Sequence, residues 1–442
     1  MSTILSLAAE LAAGRTTSVE LTERALARIA DPGGEGTRAF TRVDREGALK
    51  AAQASDLLRA AGVVPSPLAG IPVSVKDLFD VAGQPTPAGS LVLKDAPPAV
   101  RDAPVVARLR AAGAVIVGRT NMTEFAFSGL GVNPHYGTPG NPFDRARIPG
   151  GSSSGAAVSV ADGMAVAAVG SDTGGSVRIP SAFCGLVGFK PTQARVPRDG
   201  ALPLSWTLDT VGPLARSVAC CAIMDAVMAG AAPAVPEALD LAGLRIAVPT
   251  TVVLDGMDDT VAAAFERALE ALAQAGARVV EIDLATLAAI PRANAKGGFA
   301  SPEAYAWHRE LLARSGDRYD PRVSARILRG QEQSAADYIE LTRTRAALMA
   351  EAEAATRAFD ALAMPTVPVV PPRLDELEDD AAYARINMLV LRNPSLWNFL
   401  DRPAVSLPMA TGGLPAGLML VGKRGHDRNL LRVARAVEPV VA

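Results

Sequence analysis

The chain has 442 residues, of which 49% are apolar at a mean hydropathy of +0.20, so it carries enough apolar surface for a large core and is not chiefly disordered. Its 44 Lys+Arg against 46 Asp+Glu leave a formal charge of -2, which provides no field for holding nucleic acid or an anionic membrane and points to a small substrate. Three cysteines, Cys184, Cys220 and Cys221, are too few for a disulfide framework and predict a reducing, cytoplasmic compartment. The three histidines, His135, His308 and His426, form no ligand cluster, so no metal site is expected. No secretory signal is read at the N-terminus, and charges such as Asp162 and Asp225 interrupt each apolar stretch before the ~18–20 residues of a membrane span.

In chain order, the first sixty residues read as helical, with Thr17-Ser18-Val19-Glu20 as a capping box and a second helix from about Asp44 to Ala61. Gly70 to Val75 is short and β-branched and reads as a buried strand ending in Lys76-Asp77. Val105 to Ala112 then predicts a helix, Gly113 its stop and Ala114 to Val117 a strand. The stretch from Asn133 to Gly155 is a long Gly/Pro/Asn loop of the kind usually reserved for function. Ala156 to Ala161 predicts a helix, Met164 to Val169 a strand, Ser176 to Cys184 a helix start and Gly185 to Phe189 a strand. Strand, helix and strand follow at Leu244–Val248, Asp259–Ala275 and Arg278–Ile282. Residues 284–358 turn helical with Ser334 as a cap, Ala361 to Met364 is a strand, and the acidic run Asp375 to Asp380 reads as a solvated loop. This rhythm predicts one α/β/α layered domain over 1–442: N-terminal helices (1–62), a catalytic core (63–283), a helical cap-like segment (about 284–360) and a return to the core (361–442).

Two glycine-serine loops point to one site. Pro149-Gly150-Gly151-Ser152-Ser153-Ser154-Gly155 precedes Asp172-Thr173-Gly174-Gly175-Ser176-Val177-Arg178, with Ser176 lying 24 positions after Ser152. Glycines ahead of a serine at a helix start let the backbone bend and leave N–H groups beside a hydroxyl, the arrangement an oxyanion requires. Each loop taken alone reads first as an ordinary Ser-rich turn. A serine nucleophile needs a base, and Lys76, one of only six lysines, follows a buried strand where desolvation favours its neutral form. The alternative for Lys76 is a salt bridge to Asp77 or another acid. Gly151-Ser152-Ser153-Ser154-Gly155 also fits a Gly-x-Ser-x-Gly elbow with Ser153 as nucleophile, but no strand precedes it and Lys76 and Ser176 go unused.

Together these segments resemble the amidase signature family. The lysine strand Gly70 to Asp77, the loop Gly150 to Ser153 and the loop Asp172 to Pro180 match in order and spacing. Similarity extends through Asn133 to Gly137, Asn141 to Asp144, Leu208 to Pro213, Met364 to Thr366 and Leu414 to Leu420. The resemblance implies a large twisted mixed sheet between helices and a Ser-Ser-Lys triad: Ser176 as nucleophile, Ser152 as a cis serine relaying the proton, and Lys76 as base. It implies an oxyanion hole from the N–H groups of Thr173, Gly174, Gly175 and Ser176. Ser153, Asp172 and Arg178 would stand behind these and hold the loops together, with Arg178 as a substrate clamp the alternative. The expected enzyme is a cofactor-free amidase for a small-molecule carboxamide, with a glutaminase-type subunit of a tRNA-dependent amidotransferase as the alternative and a homodimer as the expected assembly. Phe125, Tyr136 and Trp206 flank these loops and are expected at a substrate pocket. Ser154 departs from the family, many members of which have glycine there.

Overall fold

The computed structural model describes residues 2–442. Eleven strands form one mixed sheet: β1 (Phe40–Val43), β2 (Pro72–Lys76), β3 (Val115–Thr120), β4 (Ala167–Asp172), β5 (Val187–Lys190), β6 (Thr210–Ala215), β7 (Arg245–Pro249), β8 (Arg278–Ile282), β9 (Ala361–Pro365), β10 (Ala404–Met409) and β11 (Ala416–Val421). Their spatial order is β1-β3-β2-β4-β6-β5-β10-β11-β9-β7-β8. β3, β2 and β4 run parallel, as do β9, β7 and β8, and antiparallel pairs join the two groups through β6, β5, β10 and β11. Central strands such as β2, β4, β6 and β11 are buried along their whole length, because helices cover both faces.

Most expected elements are present. Thr17 caps the helix Ser18–Ala30 in a capping box, and the second helix runs Arg45–Ala60. The segment expected to be cap-like holds the helices Thr286–Ala293, Ala300–Ser315, Pro321–Leu328 and Ala335–Thr356, the last capped by Ser334. β4 starts at Ala167 rather than at the expected Met164, because Ser159 carbonyl accepts the Met164 and Ala165 amides as the preceding helix closes. The acidic run is not merely a loop: Asp375–Leu377 is a short turn, and Asp379 caps a helix over Asp380–Phe399. Acidic side chains suit a helix N-terminus electrostatically, while Asn393-Pro394 within the helix masks it in sequence.

Candidate active site

β2 and β4 lie side by side and parallel, pairing Val73 with Ala167 and Val75 with Val169, so Lys76 and Ser171-Asp172 emerge together at the carboxyl ends of their strands. That edge is where open α/β sheets bind ligands. The Lys76 side chain is wholly buried, and its Nζ lies 2.8 Å from Ser152 Oγ and 2.8 Å from Ser171 Oγ. Burial lowers its pKa to about 7, although Asp172 and Asp209 pull it upward. Asp77 does not neutralise it: Asp77 pairs with Arg119 at 2.7 Å.

The loop bearing Ser152 is pinned by its backbone. Gly151 N–H donates to Gly129 carbonyl at 2.8 Å, and Ser152 carbonyl accepts from Thr123 N–H at 3.1 Å. The Gly151–Ser152 peptide is cis. A Cβ on Gly151 would sit 2.5 Å from Gly131 N, so only glycine allows this approach. Ser153 N–H donates to Ser176 carbonyl at 3.3 Å, tying the first loop to the second. Ser153 Oγ donates to Ser171 carbonyl at 3.4 Å, and no strand precedes it, so the elbow geometry is not formed. Ser154 opens the helix Ser154–Ala161 with its hydroxyl buried and unpartnered.

The second loop wraps around Asp172. Its carboxylate accepts the amides of Gly175 (2.8 Å) and Val177 (3.1 Å) and two N–H groups of the Arg178 guanidinium (2.9 and 3.0 Å). Asn398, from the helix not foreseen in sequence, donates to Asp172 Oδ1 at 2.9 Å and accepts from Arg178 at 2.6 Å. Burial acts to raise the Asp172 carboxyl, but Arg178, Lys190 and Asn398 hold it well below the ordinary carboxylate range.

Arg178, expected to stand behind the loops with a substrate clamp as the alternative, is completely buried and paired with Asp172. The Gly175 amide, one of the four expected to face an oxyanion, donates to Asp172 Oδ1.

A cavity of about 490 Å³ opens beside this loop, bordered by Ser171, Thr173, Asp209, Leu78, Arg198 and Trp206. Trp206 lines this cavity. Phe125 does not: it is 1% exposed and packs edge-on against His308, with ring centroids 4.4 Å apart, in a cluster with Tyr319. Its aromatic character serves the core, and its neighbour Ala126 reaches the cavity instead. Tyr136 is half-buried away from the cavity wall. Cys184 is buried with its thiol pKa pushed up, which removes it as a rival nucleophile.

Sequence reasoning missed Ser171, Asp209, Lys190 and Asn398. Asp209 accepts from Thr173 Oγ1 at 2.5 Å and from the amides of Leu204 and Ser205, each at 3.0 Å. Its deep position pushes its carboxyl up to about 6, while Thr173, these amides and Arg198 act the other way. Asp209 stands inside the family-like segment Leu208 to Pro213 but was given no role there; Asn398 had no such signal.

A sheet edge presenting a buried lysine with a lowered pKa, two serine loops and a small cavity is an arrangement chemically suited to hydrolysis. The Amidase family model matches residues 20–431, and the chain belongs to that family, whose members hydrolyse carbon–nitrogen bonds in amides. It is 39% identical over 415 residues to 2-amino-5-chloromuconic acid deaminase of Comamonas testosteroni, covering 91% of this chain and 88% of that one. It is 38% identical over 470 residues to a glutamyl-tRNA(Gln) amidotransferase subunit of Roseiflexus castenholzii, covering 97% and 94%. A crystal structure of an amidase superposes with a TM-score of 0.91 at 35% identity over 100% of both chains. The chain is thus an amidase of the mixed-sheet fold expected from the resemblance, and none of its helices among the described residues is long and apolar enough to cross a membrane.

Proposed function

We propose that Ser176 is the nucleophile, Ser152 the proton relay and Lys76 the base of this amidase. The observation that carries the assignment is the buried Lys76 amine, 2.8 Å from Ser152 Oγ with a pKa near neutrality. Neutral Lys76 takes the Ser152 proton as Ser152 takes that of Ser176, and Ser176 Oγ bonds to the amide carbon. The tetrahedral oxyanion is met by the amides of Thr173, Gly174 and Ser176. The proton returns through Ser152 to the departing nitrogen, the C–N bond breaks, and ammonia or an amine leaves an acyl-enzyme. Water then attacks the ester, giving its proton along the same path, and the carboxylic acid departs.

The substrate is a small linear carboxamide and the enzyme works without other proteins, as a homodimer in the cytoplasm. The cavity size and the free, buried state of Cys184, Cys220 and Cys221 support the small substrate and the reducing compartment. The likeness to the Roseiflexus amidotransferase protein favours a second reading, a glutaminase-type subunit passing ammonia to a partner. Ammonia release by the purified chain over aliphatic, aromatic, glutamine-type and urea-derived amides separates the two. Activity without co-expressed partners, lost in a folded Ser176→Ala variant, is the expected outcome; full activity in that variant overturns the nucleophile.

A further inference from the structure

The cavity beside Thr173 is bordered by a single cationic side chain, Arg198. Among the described residues Arg198 takes part in no ion pair, and its Nη1 donates to the Trp206 carbonyl, which also accepts from Gln193 Nε2 at 2.9 Å. This anchoring fixes the guanidinium on the cavity wall while engaging one of its five N–H donors. Two acids share the wall, and neither pairs with it. Asp199 is exposed, and Asp209 already accepts from Thr173, Leu204 and Ser205. Arg198 lines the same cavity as Ser171 and Thr173 of the nucleophile loop, which puts its positive charge in the space next to that loop. The space offers room for a small ligand with one fixed charge.

We propose that Arg198 is a specificity-determining residue that receives a carboxylate on the acyl part of the substrate, so the preferred substrates are short monoamides of dicarboxylic acids. The planar fork of a guanidinium matches a carboxylate in a way a neutral alkyl end cannot. The inference rests on the amidase reading of the same site. Hydrolysis then takes one water and yields the dicarboxylate and ammonium.

Binding and turnover test the two readings separately. Calorimetry on Ser176→Ala protein compares succinamate with butyramide and glutaramate with valeramide. The expected result is at least tenfold tighter binding of each anionic amide, falling to within about twofold when Arg198→Gln is added and partly recovered with Arg198→Lys. Equal binding of the anionic and neutral amides, binding of neither, or a preference that survives Arg198→Gln in a folded protein overturns the proposal. Wild-type turnover of both amides at equal rates upholds the amidase and rejects the Arg198 role. Selective binding by the Ser176→Ala protein without wild-type turnover of either does the reverse.

Discussion

At the scale of single residues, the protonation of Lys76 decides whether the serines can react. Desolvation brings its pKa to about 7, so the fraction of neutral amine rises as pH increases through that value. The value of kcat/KM should therefore climb through about pH 7 and level off above it, and Lys76→Met should remove activity altogether. Asp209 helps to set the inflection, because its negative charge favours protonated Lys76. Asp209→Asn should move the inflection to lower pH, checked by a pH–rate profile of the folded variant; an unmoved inflection would separate Asp209 from the base. The same lysine links pH to stability. The unfolded chain binds its proton up to an ordinary value of about 10.4, whereas the native state releases it near 7, so the Lys76 contribution to stability rises with pH between these limits. Comparing the thermal unfolding of wild type and Lys76→Met at pH 7 and pH 9 reads this directly: wild type should gain relative to the variant at the higher pH.

At the scale of elements, the nucleophile loop keeps its shape because a strand end, a helix start and a distant helix converge on one carboxylate. Asp172 ends β4, Arg178 begins the helix Arg178–Phe183, and Asn398 comes from the helix Asp380–Phe399. Removing the negative charge leaves a completely buried guanidinium uncompensated, and breaking such a pair costs about 3–5 kcal/mol. Asp172→Asn should lower the urea midpoint accordingly and lose activity even in the protein that remains folded. Gly175 has a φ of +128°, and a Cβ there would fall 2.6 Å from Pro394 Cβ on the same helix. Both conformation and space therefore require glycine, although no feature of its own loop reveals the opposing proline.

At the scale of the whole molecule, the reacting groups come from segments far apart in sequence and the helical segment supports them from outside. Glu303, on the helix Ala300–Ser315, accepts from the hydroxyls of Ser205 and Thr207, from Thr207 N–H at 3.1 Å and from Tyr338 Oη at 2.6 Å. It thereby holds one side of the loop that carries Trp206, while Asp209 ties the other side to Thr173. Glu303→Ala should loosen this loop, raising KM more than it lowers kcat and increasing hydrogen exchange at residues 204–209. Unchanged exchange there would show that the loop is held by its own contacts.

Local sequence determined the parts whose physics is local. The β-branched run before Lys76, the glycines around Ser152 and Ser176 and the capping boxes at Thr17 and Ser334 declare a buried strand, bent loops and helix starts without reference to the rest of the chain. The α/β rhythm and the three ordered motifs likewise made the fold and the family legible. Tertiary structure alone decided which neighbours those parts meet. Pairing of β2 with β4 brings Ser171 to the lysine, Asp172 claims the Gly175 amide, and packing sends Phe125 into the core while leaving Trp206 and Arg198 on the cavity. These outcomes depend on contacts between residues separated by tens to hundreds of positions, where spacing carries no directional information and only the closed sheet supplies it.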